Sequence, residues 1–269
     1  MEINQQMFSS HKPTFLFIVL FKISLLFWYS CSDEQRPLAP SEEYEEITLL
    51  AEFPLDIRDP SGLALDPDGE TLWVVSDNPG RGIYRITYQG EIVEQIEMDS
   101  DDLEGIIVDP NDNTLWVVEE RLRQIVNISR SGEELQRVQL DIEGENENDG
   151  PEGITVNPNN GHFYVVNEAN PRQLHELTPE MEIIKTTTIN FSGIFEVEDL
   201  SGISYNIAEN SLWIVSDTSE KIVVTDLNGS PIKAYNIDVF DPEGIALDAS
   251  QRIVFIASDS DRTLYIFNY

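Results

Sequence analysis

The chain has 269 residues, 41% of them apolar, with 50 acidic against 16 basic side chains and a formal net charge of −34. Such a field repels phosphate backbones and anionic lipid, which excludes nucleic acid as a partner and favours cations or basic surfaces. A single cysteine excludes an intramolecular disulfide, and three histidines leave little for a His/Cys site of the zinc or copper kind.

In chain order, Lys12 precedes an apolar run from Phe15 to Tyr29 broken only by Lys22 and Ser24, and Ser30 and Cys31 follow. A charged start, a short apolar core and a small residue before the cut predict a secretory signal over residues 1–30. The cysteine directly after it resembles a bacterial lipoprotein cleavage site, with Cys31 the lipidated residue. The alternative is an uncleaved N-terminal anchor helix, although the run is shorter than the ~20 residues that normally span a bilayer. Residues 31–44 are polar and acidic, contain Pro37 and Pro40, and predict a tether that holds the folded part off a membrane. Asp33 and Glu34 resemble the signals that send some Gram-negative lipoproteins to the outer cell surface. The expected location is therefore the cell envelope, as an outer-membrane lipoprotein exposed at the surface.

Residues 45–269 are repetitive. The phrase Asp59-Pro-Ser-Gly62-Leu-Ala-Leu-Asp-Pro67 returns around Gly105, Gly153, Gly202 and Gly244, at spacings of 43, 48, 49 and 42 residues. Each copy is followed by an apolar run: Thr71–Val75, Thr114–Val118, His162–Val166, Ser211–Val215 and Ile253–Ala257. These are β-branched and aromatic, too short for helices, and nearly continuous, as expected of strands dry on both faces. Third strands are predicted at 82–88, 124–130, 173–179, 221–227 and 263–269, and fourth strands at 91–98, 133–141, 182–190 and 231–238. A repeat of ~40–50 residues made of short strands predicts an all-β fold, a β-propeller of four-stranded antiparallel blades. Five blades fit; the six-bladed alternative would need about 37 residues per blade, below the ~40–45 of such units. The last repeat ends one strand short, and Glu46–Phe53 is predicted to complete it, closing the ring and removing an open edge.

Antiparallel alternation places the start of each first strand, the end of each second strand and the lead-in loop between blades on one rim. The lead-in loops carry Asp56 and Asp59; Asp99, Asp101 and Asp102; Glu143, Glu145, Glu147 and Asp149; Glu196, Glu198 and Asp199; Asp238 and Asp241. The second strands end at Asp77, Glu120, Glu168, Asp217 and Asp259, and the residues before the repeat glycines are Ser61, Glu104, Glu152, Ser201 and Glu243. Oxygen ligands in a ring suit a hard cation such as Ca²⁺, which takes 6–8 oxygens. The expected metal set is Glu104, Glu152, Glu243, Glu120 and Glu168. The ligand rim adds Ser61, Ser201, Asp77, Asp217 and Asp259 with Arg81, Arg121 and Arg172. Two readings remain open for these residues. The glutamates ligate metal or brace neighbouring blades, and each strand-end acid pairs with the base that follows it (Arg81, Arg121, Arg172, Lys221, Arg262) or leaves that base for an anionic ligand. Trp73, Trp116 and Trp213 occupy equivalent blade positions and are assigned to the core.

The phrases Asp102-Leu-Glu-Gly105-Ile, Pro151-Glu-Gly153-Ile, Asp199-Leu-Ser-Gly202 and Pro242-Glu-Gly244-Ile-Ala-Leu-Asp-Ala249, with the hairpin Val165-Val-Asn-Glu-Ala-Asn-Pro171, resemble the SdiA-regulated (YjiK/CarP-like) family of bacterial envelope β-propellers over roughly residues 45–269. The resemblance implies an exported or membrane-associated protein tied to calcium response and similar to phytase-like propellers. The leading expectation is a non-enzymatic, Ca²⁺-binding, monomeric propeller, lipid-tethered to the membrane, whose partner is an envelope protein or an anionic small molecule. Alternatives are a metal-dependent hydrolase of phosphate esters or lactones, and a metal-independent protein-interaction platform.

Overall fold

The computed structural model describes residues 41–78, 82–100, 102–142, 144, 146 and 148–269. Their strands form five antiparallel four-stranded sheets, one per repeat. Blade one is β2 (Pro60–Leu65), β3 (Thr71–Ser76), β4 (Gly82–Thr87) and β5 (Ile92–Ile96). Blade two is β6 (Leu103–Val108), β7 (Leu115–Glu119), β8 (Gln124–Ile128) and β9 (Glu134–Gln139). Blade three is β10 (Pro151–Val156), β11 (Phe163–Asn167), β12 (Gln173–Leu177) and β13 (Ile183–Thr188). Blade four is β14 (Gly202–Asn206), β15 (Ser211–Ser216), β16 (Lys221–Thr225) and β17 (Pro231–Asn236). Blade five is β18 (Pro242–Asp248), β19 (Ile253–Ser258), β20 (Thr263–Asn268) and, from the other end of the chain, β1 (Thr48–Pro54).

The five-bladed expectation therefore holds. β1 lies antiparallel to β20, with Thr48 opposite Asn268 and Pro54 opposite Thr263, so the two chain ends share one sheet. The segment before β1 adds a second fastening. Ser41 and Glu45 donate backbone hydrogen bonds to Ile232 and Ala234 of β17 at 3.1 and 2.8 Å, and Lys221 lies 5.7 Å from the Tyr44 ring. The residues before the ring thus cover the outer edge of blade four before closing blade five. The predicted signal, Cys31 and most of the predicted tether lie outside the described residues. Among the described residues no helix is long and apolar enough to cross a membrane.

Second strands are dry on both faces, as their continuous apolar runs require: every residue of β3, β7, β11 and β15 is buried. The core is divided into five seams between adjacent blades. One joins Trp73 and Val75 to Ile106 and Val117; another joins Leu63 and Leu72 to Ala246 and Phe255 across the closure. Each fully buried aliphatic side chain in these seams contributes roughly 1.5–3 kcal/mol. Trp73 and Trp213 are completely enclosed and Trp116 nearly so, which confirms their assignment to the core. The aspartate that opens the turn after the first strand serves two of these indoles: Asp66 accepts from Trp73 Nε1 at 2.6 Å and Asp109 from Trp116 Nε1 at 3.2 Å. Asp66 also pairs with Arg130 of blade two at 2.6 Å, tying neighbouring blades on the face opposite the acidic rim.

Innermost strands approach each other so closely that only glycine fits. A Cβ on Gly105 would lie 2.5 Å from the Glu152 carbonyl oxygen, and one on Gly153 would lie 2.8 Å from the Ile203 nitrogen. Gly62 faces the Glu104 carbonyl, Gly202 that of Glu243, and Gly244 that of Ser61, all more tightly still. The contacts run from blade to blade around the axis and return to the start. Gly105→Ala should therefore cost about 1–3 kcal/mol or more, because backbone cannot yield as a side-chain tip can. A urea-unfolding midpoint unchanged from wild type would show the close approach to be dispensable.

Candidate functional site

The residue before each ring glycine lines the axial cavity on the rim where the second strands end. Ser61, Glu104, Glu152, Ser201 and Glu243 form its floor, and Asp77, Glu120, Glu168, Asp217 and Asp259 surround them. Asp59, Asp102, Arg121 and Asn148 complete the wall. The cavity has a volume of about 170 Å³ and, among the described residues, is lined by ten carboxylates and a single guanidinium, that of Arg121. The structure therefore brings together all five residues of the expected metal set and both hydroxyls and all three aspartates of the expected rim.

Burial and mutual repulsion shape this mouth. Glu104 is 9% exposed, Glu152 7% and Glu120 4%. Ser61 Oγ donates to Glu104 Oε2 at 2.6 Å, and the backbone N–H of Gly150 donates to Glu120 Oε1 at 2.9 Å. Desolvation, reinforced by neighbouring carboxylates, holds Glu104, Glu152 and Glu243 well above the usual glutamate range. Desolvation likewise pushes Glu120, Glu168 and Asp217 up to about 7, and Asp77 and Asp259 up to about 6. For Glu152 and Glu243 the largest contributions, burial and then neighbouring carboxylates, all act upward.

Three groups of acids place one oxygen each within 4.8 Å of the others: Asp102, Glu104 and Glu120; Glu120, Glu152 and Glu168; Asp217, Asp241 and Glu243. Oxygens bound at 2.3–2.6 Å to one Ca²⁺ lie at most about 5 Å apart, so each group falls within reach of a single ion. Neither described histidine is in the cavity: His162 Nδ1 meets Glu176 at 2.7 Å, and His175 Nδ1 meets Thr186 at 2.9 Å.

The sequence profile of the SdiA-regulated family matches residues 54–268. The chain belongs to the SdiA-regulated family. No curated protein matches this SdiA-regulated propeller in sequence. Among solved structures it is similar to a catalytically inactive virginiamycin B lyase from Staphylococcus aureus with quinupristin, with TM-score 0.49 and 23% identity over 78% of this chain. The match spans 66% of that lyase, just under two thirds of its length. It is also similar to a streptogramin B lyase structure, with TM-score 0.48 and 19% identity over 84% of this chain and 74% of the other.

Of the acid–base pairs that the sequence left open, Glu168 with Arg172 and Asp217 with Lys221 give way to a different brace, whereas Asp259 does feel the charge of Arg262. Arg172 donates to the carbonyl of Val197 and stays out of the cavity. Lys221 donates to the carbonyl of Glu196 at 2.9 Å and to the Tyr44 hydroxyl at 3.2 Å. Arg121 does line the cavity, and it meets Asp102 at 3.2 Å. Arg81, like Asp101, Glu143, Glu145 and Glu147, lies outside the described residues. The recurrent brace runs instead from the lead-in aspartate to the residue after the strand-end acid. Asn78 Nδ2 donates to Asp59 at 2.6 Å, the N–H of Arg121 to Asp102 at 3.1 Å and that of Thr218 to Asp199 at 3.2 Å, and Ser260 Oγ bonds Asp241. This fixes the strand-end carboxylates toward the axis. The signal was a polar residue following four of the five strand-end acids (Ala169 follows Glu168), which nearest-charge reasoning passed over; Asn148 carried no repeat signal at all.

The raised carboxyl pKa values set a pH dependence. A carboxyl that holds its proton more tightly when folded stabilises the fold below its unfolded pKa near 4, and that contribution is lost as pH rises through the folded value of about 6 to 7. In metal-free buffer the protein should therefore be more stable at pH 5 than at pH 8. If solvent screening leaves only ~1–2 kcal/mol of the effect, the melting temperature should fall by roughly 2–8 °C between them. A flat or rising profile across that range in EDTA would contradict the geometry of the mouth.

Proposed function

We propose that the axial mouth binds Ca²⁺ and that the protein acts as a binding or scaffold module of the cell envelope. The observation that carries this reading is a cavity lined, among the described residues, by ten carboxylates and one guanidinium, in which burial and neighbouring carboxylates both act on Glu152. Carboxylates concentrated and desolvated in this way disfavour one another's ionised forms, and a doubly charged ion relieves the repulsion. An all-oxygen lining suits a hard cation of forgiving geometry, and the spacing within the three acid groups matches its reach. Catalysis is not part of the reading. The binding role is supported by a floor of glutamates and serines held by the innermost strands of a rigid ring.

Calorimetric titration with Ca²⁺ and thermal melts before and after EDTA test the cation. At a hundredfold excess over Kd, linkage gives about 2.7 kcal/mol, or roughly 5–11 °C in melting temperature. The gain should be larger at pH 8 than at pH 5, because protons compete for the same oxygens. Combined Glu104→Gln, Glu152→Gln and Glu243→Gln substitution should abolish the Ca²⁺ gain while leaving metal-free stability equal to or above wild type. A triple variant that keeps the wild-type response would remove the mouth from consideration.

The envelope location rests on the sequence at residues 1–44. Cys31, following a signal-like run, is proposed as the lipid attachment point, and the acidic segment after it as the tether. In a Gram-negative host, Cys31→Ser should shift the protein from the membrane to the soluble fraction. Unchanged membrane association would favour an uncleaved anchor.

A further inference from the structure

Beside the axial mouth lies a second cavity of about 400 Å³, lined by Arg58, Asp59, Asn78, Asp259, Ser260 and Arg262. It sits at the seam where blade one meets blade five: Arg58 precedes β2 and Arg262 precedes β20. Its two arginines differ from every other arginine among the described residues. Arg85, Arg121, Arg130 and Arg137 pair with carboxylates. Arg123, Arg172 and Arg252 donate to backbone carbonyls. The exposed side chains of Arg58 and Arg262 make no hydrogen bond and no ion pair. This is in a chain with 50 acidic side chains, and in a cavity that two acids line. Burial pulls the Asp259 carboxyl upward most strongly and the charge of Arg262 opposes that pull, but no side-chain hydrogen bond or ion pair joins the two. Asp59 accepts from Asn78, and both Asp59 and Asp259 also line the axial mouth, so the two cavities share a wall. Sequence periodicity gives no hint of this pairing, because Arg58 belongs to a lead-in loop and Arg262 to a hairpin some two hundred residues later.

We propose that Arg58 and Arg262 form an oxyanion subsite, the anchor for a phosphate or carboxylate group of a ligand whose neighbouring charge faces the cation in the mouth. The guanidinium fork matches the paired oxygens of either group, with both donors of one edge engaged. The shared aspartate wall explains why such a site needs its neighbour. Without a cation, Asp59 and Asp259 repel an incoming anion; with one bound in the adjoining mouth, its positive charge offsets theirs and the two guanidiniums dominate the pocket. The inference rests on the cation reading above. It adds the class of ligand: a small anion held jointly by metal and arginine, and bound more tightly as Ca²⁺ occupancy rises. By linkage, the anion must then tighten Ca²⁺ by the same factor.

The test titrates methyl phosphate and, separately, acetate into Ca²⁺-loaded protein at about 0.15 M salt, where long-range repulsion is screened beyond ~8 Å. Wild type is compared with the Arg58→Gln/Arg262→Gln double variant. Lys185→Gln serves as a control that removes one positive charge from the outer strand of blade three. At least one anion should bind, the double variant should weaken it by about tenfold or more, and Lys185→Gln should change it by less than about twofold. Whether methyl phosphate, acetate or both show the arginine dependence identifies the source of the oxyanion. Because neither arginine side chain makes a hydrogen bond or an ion pair in the fold, the double variant should stay folded and melt close to wild type, and its melting curve is recorded alongside. Absence of binding by both anions, or equal affinity in the double variant, overturns the proposal. Ca²⁺ affinity is read in the same samples. If Ca²⁺ itself does not bind, the cation reading fails separately, and arginine-dependent anion binding to the metal-free protein then decides the subsite alone.

Discussion

Everything in this molecule depends on how closely its innermost strands approach the axis. At each of five positions the backbone of one blade lies against a glycine of its neighbour, where any Cβ would fall within 3.0 Å of backbone. That approach fixes the blades in register around the ring and determines what stands beside each glycine. The residue before it has no freedom to swing aside, since its carbonyl is the atom pressed against the neighbouring glycine at Glu104, Glu152, Glu243 and Ser61. Five side chains are thereby delivered to one small cavity by the same contact that closes the ring. The site follows from how the blades meet and is not an addition to it.

The chemistry of those side chains opposes the fold that holds them. Buried carboxylates side by side are unfavourable, and the upward pKa displacement of Glu152, Glu120 and Asp217 expresses that cost. The five apolar seams supply the opposing force, with dry second strands and enclosed tryptophans. A ring held by long seams on every side tolerates a strained centre, because relaxing one carboxylate would require separating two blades. Local inconsistency inside a consistent frame marks a functional centre better than any single residue does.

Repetition made the frame readable. Five copies of one phrase gave the blade count, the strand order and, through the unfinished last repeat, the pairing of β1 with β20. Equivalent positions in equivalent blades converge on one axis, so the two rings of the mouth were readable by the same logic. Where the reading failed, it relied on distance along the chain in place of direction. Arg172 and Lys221 lie within four residues of a strand-end acid but point to carbonyls of the lead-in loop, because strand pleat and turn carry acid and base to different sides. The clamp that does recur spans about nineteen residues, from Asp59 to Asn78 and from Asp102 to Arg121, a separation that means nothing until the hairpin is folded. Arg58 and Asn148 sit in lead-in loops that share no phrase, and periodic reasoning is blind there.

Ring closure and the rim are physically one feature. β1 leaves blade five at Pro54, and the N–H of Leu55 donates to the carbonyl of Arg262 at 2.7 Å. Three residues later Arg58 is in place, and Asp59 adopts a left-handed backbone conformation with φ of 46°, as Arg262 does at 47°. A left-handed geometry at two non-glycine residues is unfavourable by itself and persists only where surrounding structure enforces it. Here the enforcement comes from the paired chain ends on one side and the bond from Asn78 to Asp59 on the other. The cavity between Arg58 and Arg262 therefore exists only in the closed ring, and so does the stretch of wall that Asp59 and Asp259 share with the axial mouth. A chain with β1 unpaired would keep four intact blades and most of the carboxylates, yet lose the place where the guanidiniums of Arg58 and Arg262 meet the rim. Closure thus links the stability of the fold to the composition of its binding face, through the contacts that β1 makes with β20.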